Sequence, residues 1–117
     1  MKLPGGDHAV IARRKIVEYC LSLDHEVGRA RARVFQSSLG LTSADADVLV
    51  DALLEAAATG HAEPGDVDAY GMRYRIDFVI DFRGRRAIVR SGWIIRADGD
   101  APELTTTWVL KTDAAGT

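Results

Sequence analysis

The sequence predicts an α+β domain: about three N-terminal helices packed on one face of a C-terminal antiparallel sheet of three or four strands. Apolar residues recur at helical spacing through the first half of the chain, and the period then drops to two. Turn-forming glycines divide the alternating half into hairpins. With 117 residues, 47% of them hydrophobic, and no internal repeat or linker, the chain reads as a single domain over 1–117, helical over about 9–60, sheet over about 68–110, with a tail at 111–117.

The elements follow in order. Leu3 to Asp7 is a loose entry, and His8 to Ile11 a short extended piece. Ile16, Val17, Cys20, Leu21 and Leu23 mark a first helix over Arg13 to Leu23, with Arg13, Arg14 and Glu18 outside. His25 to Gly28 interrupts it. A second helix runs over about Arg29 to Ser38 and ends at Gly40, where a left-handed cap is favoured. Thr42 and Asp45 form a capping box that starts a third helix, striped by Val48, Leu49, Ala52, Leu53 and Ala56 and ending near Thr59 and Gly60. Its Asp47, Asp51 and Glu55 form an acidic ridge, read as a solvated face because no histidine or cysteine accompanies it.

Glu63-Pro64-Gly65-Asp66 reads as a turn. From Tyr70 to Asp81 the chain alternates, with Tyr70, Met72, Tyr74, Ile76, Phe78 and Ile80 on one face. Arg83-Gly84 turns it into a second strand, Arg86 to Arg96. Pairing Phe82 with Arg85 sets Phe78 opposite Val89 and Tyr74 opposite Trp93, and on the other face Asp77 opposite Arg90 and Asp81 opposite Arg86. Apolar partners on one side and opposite charges on the other agree on one register. Leu104 to Leu110 is a third strand, and Lys111 to Thr117 a frayed tail.

Net charge is −2, which argues against coating nucleic acid through bulk electrostatics, although 12 of the 15 basic residues are arginine and a local arginine pocket stays open. No apolar run approaches the roughly 20 residues of a membrane span. Met1 to Asp7 lacks the apolar core of a signal peptide, and the single Cys20 forms no internal disulfide, so a cytoplasmic protein without a membrane partner is expected. Cys20 itself reads as a small buried hydrophobe rather than a nucleophile. Glycine patterns for nucleotides, metal-ligand spacings and hydrolase motifs are absent, so no cofactor and no metal ligand is assigned.

The rest of the chain is arranged around Asp24 to Phe35, in which a lone histidine and a glycine precede a helix carrying Arg29, Arg31 and Arg33. On a helical wheel Arg29 and Arg33 point away from Phe35 and Leu39, whereas Arg31 falls between Val34 and Leu39 and is expected to aim inward. A core-facing guanidinium is costly unless an anionic group, from the protein or a ligand, meets it.

These residues, with Leu39-Gly40-Leu41-Thr42, Tyr70-Gly71, Arg73-Tyr74, Asp77-Phe78, Val89 to Ile94, and Pro102 with Leu104-Thr105-Thr106, resemble a bacterial family known as domain of unknown function 6883, over about Leu3 to Leu110. Family members commonly carry a proline after the histidine and a lysine at the inward helical position; this chain has Glu26 and Arg31 there, which keeps the charge but not lysine chemistry. At the level of fold the pattern is also similar to the barnase, EndoU, colicin and RelE group of ribonuclease toxins. That resemblance implies a metal-independent endoribonuclease-like toxin domain, with RNA as ligand and a cognate antitoxin or immunity protein as partner.

Such chemistry needs a base, an acid and groups that stabilise a charged phosphorane. His25 is the acid or base candidate, Arg31 the phosphate holder, and Thr106 or its neighbour Thr105 a hydroxyl donor, only one of which a regular strand presents to one side. Trp93 and Tyr74 are candidates for stacking on a base. Each has a structural alternative: His25 as a backbone cap, Arg31 paired with Asp24, Glu26 or a sheet carboxylate, the threonines as strand formers, and Trp93 and Tyr74 as core. A non-catalytic interaction module, binding a protein through the face that bears Arg75, Asp77 and Arg90, is the competing function.

Overall fold

The computed structural model describes residues 1–112. Helices precede a single four-stranded antiparallel sheet in the order β1-β2-β3-β4, a simple meander. α1 spans Arg13–Lys15 and passes directly into a π-helical turn, Ile16–Cys20. Helical hydrogen bonding ends when Leu21 N donates to Ile16 O at 3.0 Å, so this helix is shorter than the apolar spacing predicts and Leu23 lies exposed beyond it. α2 spans Arg29–Leu39 and α3 Ala46–Thr59.

Both helix boundaries set by caps are where the sequence places them. Gly40 closes α2: Gly40 N donates to Gln36 O at 2.8 Å and Leu41 N to Phe35 O at 3.3 Å. Thr42 and Asp45 form the capping box before α3, with Thr42 N donating to Asp45 Oδ2 at 3.0 Å. The ridge of Asp47, Asp51 and Glu55 is exposed, and Arg13 pairs with Asp47.

The sheet begins earlier than predicted. β1 spans Ala62–Asp68 and includes the segment read as a turn, because a register shift between Pro64 and Val67 bulges Gly65 and Asp66 out of an edge strand. A proline without an N–H donor and an irregular ladder are both tolerated at an edge. β2 spans Gly71–Phe82 and β3 Arg85–Arg96, joined by Arg83 and Gly84 at φ 50° and 81°, the positive values a two-residue hairpin turn requires. Phe82↔Arg85, Phe78↔Val89 and Tyr74↔Trp93 pair as expected. On the outer face Arg90 grips Asp77 through two bonds of 2.8 and 2.9 Å, and Arg86 grips Asp81 at 2.7 and 3.2 Å. β4 spans Glu103–Thr112, two residues past the predicted strand end; the rest of the predicted tail, residues 113–117, lies outside the described residues.

One hydrophobic cluster joins Ile16, Phe35, Leu39, Leu49 and Leu53 from the helical part with Ile76, Ile80, Val89 and Trp93 from the sheet. Trp93 is wholly buried, and its indole Nε1 donates to Ser91 Oγ at 2.9 Å, which in turn donates to Ile76 O at 2.9 Å. These bonds satisfy the polar groups that burial strips of water. Trp93 is therefore core rather than a surface for stacking. Tyr74, half-buried, packs against the same cluster. The N-terminal segment lies along both sheet edges: Ala62 N donates to Met1 O at 2.7 Å, and Val10, within the predicted extended piece, pairs with Glu103 in a single parallel bridge.

Candidate functional site

β4 is an edge strand, and its exposed backbone and side chains meet the turn that follows α1. Two register shifts interrupt its ladder with β3. The one between Gly92 and Trp93 sets Thr106 opposite Gly92 and Leu104 opposite Trp93, leaving Thr105 as the extra residue. A bulge breaks the up-down alternation of a strand. Neighbouring threonines thus line one cleft together, against the expectation that only one of them faces a given side.

The cleft measures about 660 Å³ and is walled by Lys15, Glu18, Tyr19, His25, Thr105 and Thr106, among others. Lys15 Nζ donates to Thr105 O at 2.9 Å, meeting an edge carbonyl that no fifth strand covers. Glu18 is the carboxylate of the lining, and Arg14 Nε donates to its Oε2 at 2.6 Å. Cys20 also borders the cleft, but its thiol is buried and its pKa is pushed up to about 11 by desolvation, against the weaker opposing pull of the Lys15 and Arg31 charges. A thiol so held stays protonated near neutrality.

His25 is positioned by three contacts. Its Nδ1 accepts from Val27 N at 3.1 Å and from Gly28 N at 3.0 Å, and its ring lies against Tyr19 with centroids 4.5 Å apart. Gly28 is required by the close approach beneath: a side chain there would place Cβ 2.4 Å from Tyr19 O. With Nδ1 accepting from two backbone donors, the ring nitrogen left to offer an N–H is Nε2. His25 therefore caps the entry to α2 and offers one N–H. Acid or base catalysis at Nδ1 would first have to break both capping bonds.

Arg31 differs from its expected placement. α2 buries Ala32, Phe35 and Leu39, whereas Val34 and Arg31 are exposed, so the buried stripe lies one residue further round than the predicted one. The Arg31 side chain runs past the β4 edge, where Nη1 donates to Thr106 Oγ1 at 2.9 Å and the guanidinium lies 4.4 Å above the Trp108 ring. No carboxylate among the described residues pairs with it; Asp24 and Glu26 do not. Cation–π stacking orients this charge without neutralising it.

The structure thus brings His25, Thr105 and Thr106 to one cleft, with Arg31 bonded to its Thr106 wall, and leaves Trp93 and Tyr74 in or against the core. Lys15, Glu18, Tyr19 and Trp108 escape the sequence reading. The first three lie on a short helix whose π turn departs from 3.6-residue spacing, and Trp108 carries no mark in the sequence to separate it from Trp93. Among the described residues no group of three histidine, cysteine or acidic side chains could hold a metal ion, and no helix is long and apolar enough to cross a membrane.

Helices before a four-strand meander, with a cleft at the sheet edge, define a small α+β domain. The chain belongs to the family described as domain of unknown function DUF6883, whose model matches residues 2–111. No curated protein matches the sequence. Among solved structures, a chain of a contact-dependent growth inhibition toxin and immunity protein complex from Klebsiella pneumoniae 342 is similar, with TM-score 0.65 and 16% identity over 86% of this chain and 98% of that one. At that identity the likeness is one of fold.

Proposed function

We propose that the domain is a ribonuclease-like toxin domain that binds and cleaves the RNA backbone without a metal ion, and that a cognate immunity or antitoxin protein restrains it by covering the β4-edge cleft. The observation that carries this reading is Arg31, a guanidinium held at the cleft wall by Thr106 and Trp108 with no carboxylate among the described residues to neutralise it. Such a group is poised for a phosphate. The growth inhibition complex with the similar fold supports a toxin-related role.

In this reading Arg31 and Lys15 hold the scissile phosphate, and the Thr106 hydroxyl and the His25 Nε2–H donate to its oxygens. Glu18 is the group available to accept the 2′-hydroxyl proton as that oxygen bonds to phosphorus, and to pass it to the 5′-oxygen as the bond from phosphorus to that oxygen breaks, which leaves a 2′,3′-cyclic phosphate and a 5′-hydroxyl. Donors fixed before the reaction stabilise developing charge most where they need not reorganise, and the capped His25 and stacked Arg31 are fixed in that sense.

One observation favours a second reading. The two bonds at His25 Nδ1 are what a purely structural cap would make, which fits a non-catalytic interaction module on the same fold. Inducible expression in a bacterial host separates the two. Growth arrest with discrete cleavage of tRNA or rRNA by the wild type, abolished in Arg31→Ala and Glu18→Gln variants whose melts stay near wild type, is the expected result. Normal growth and intact RNA with abundant folded wild-type protein would remove catalysis and leave the interaction module.

A further inference from the structure

The 12 arginines divide by what they meet. Arg13, Arg14, Arg73, Arg86, Arg90 and Arg96 each pair with a carboxylate. The other six have no such partner among the described residues, and four of them, Arg29, Arg31, Arg33 and Arg85, lie on α2 or against it. α2 itself contains no aspartate or glutamate. Arg29, Arg33 and Ser37 stand one helical turn apart on one exposed side, with a rise of about 6 Å between successive positions. Arg85 extends the row: from the first position of β3 its Nη1 donates to Ser37 O at 3.2 Å.

Two features set this row apart from an ordinary solvated face. Like charges at a four-residue spacing destabilise a helix, and a cation in the first turn opposes the helix dipole. Arg29 and Arg33 do the first, and Arg29 does the second with no acid in the first turn of α2 to offset it. Positive charge is concentrated where local helix energetics disfavour it, in a chain whose net charge is −2. At its N-terminal end the row adjoins the loop that carries His25, whose carbonyl accepts from Arg29 N at 2.9 Å.

We infer that the exposed Arg29, Arg33 and Arg85 row is a docking track for the phosphate backbone of a single-stranded RNA whose scissile position lies in the His25 and Thr106 cleft. The inference rests on the RNA reading above. A backbone of regularly spaced charges suits cations set one turn apart and needs no apolar anchor. The exposed apolar residues of α2 are Ala30 and Val34, too little for the buried aromatic centre typical of a protein interface. The track acts on binding: it holds RNA beyond the reacting nucleotide and touches no reacting atom.

The test uses a fluorescent 15-nucleotide RNA with 2′-O-methyl groups throughout, which lacks the nucleophile for cleavage, titrated by anisotropy against the wild type and the R29E/R33E/R85E variant. The wild type is expected to bind with salt-sensitive affinity. The variant should bind about tenfold or more weakly at low salt, with the slope of log affinity against log salt reduced by about 2, as for three lost single-strand phosphate contacts. Acid in the first turn favours the helix, so R29E should fold. An R29Q/R33Q/R85Q variant, with a melt near that of wild type, should show most of the same loss without new repulsion. Equal binding by wild type and both variants overturns the track, as does absence of binding by the wild type. Tighter wild-type binding to polyglutamate than to the RNA, lost in the variants, also overturns it and reassigns the row to an acidic protein. Failure of the two ideas is distinguishable. If the wild type cleaves a dinucleotide but binds the 15-mer no better than the variants, the track falls and cleavage stands; if binding behaves as expected but nothing is cleaved, the track stands and cleavage falls.

Discussion

Arg31 illustrates how one position can carry charge for a ligand without being buried for it. Its guanidinium is stacked on Trp108 and bonded to Thr106, both half-buried residues of β4, while Arg31 itself is exposed. Because the site is exposed, removing it should cost little fold stability: Arg31→Ala is expected to lower stability by about 1 kcal/mol, the size of one exposed cation–π contact, read as a small shift in the urea midpoint. A drop of several kcal/mol would mean that Arg31 is structural. The sequence singles out this residue for its charge but misplaces it. A wheel drawn from Phe35, Leu39 and Val34 rotates the buried stripe by one residue, whereas Ala32, too small to weigh in a pattern of large apolar side chains, occupies the buried position beside it. His25 was legible as either cap or catalyst, and its Nδ1 bonds depend on the backbone of Val27 and Gly28, which no spacing of side chains reveals.

Among the elements, the β2–β3 hairpin was readable residue by residue because two independent patterns, apolar on one face and charged on the other, reject every other register. The pair of Asp77 and Arg90 is about two-thirds buried on each side, and a double-mutant cycle with Asp77→Ala and Arg90→Ala should return a coupling of about 0.5–1 kcal/mol in denaturant unfolding. The same cycle on the more exposed Asp81 and Arg86 should give less. β1 was not readable, since Pro64 and Gly65 carry the composition of a turn and only pairing with β2 makes them a strand. The bulge at Thr105 was hidden for a similar reason: one extra residue leaves no trace in a run of three threonines.

For the molecule as a whole, the outer-face ion pairs set an acid limit. Hydrogen bonds from Arg90 hold the Asp77 carboxyl below its ordinary range, those from Arg86 do the same for Asp81, and the Tyr70 backbone N–H leads the effect at Asp68. A carboxyl whose folded pKa is depressed contributes stability that is fully present above the unfolded value, near 4, and lost as pH falls through the folded one. The urea midpoint is therefore expected to hold level for these groups above about pH 5 and to decline below about pH 4, less steeply in Asp77→Asn and less steeply in high salt. A decline that Asp77→Asn leaves untouched would place the acid sensitivity elsewhere.

The two tryptophans stand in opposite surroundings, one sealed behind Ser91 and the other half-open beneath Arg31 on β4. Each is thereby a separate optical probe. Trp93, out of water, should emit to the blue and shift red only on global unfolding, while Trp108 should change intensity when an anion meets the guanidinium stacked on its ring. In a Trp93→Phe variant, titration with a short oligonucleotide should change the remaining emission well below the denaturation midpoint. In Trp108→Phe the same titration should leave fluorescence flat, so one spectrum separates occupancy of the edge from integrity of the core.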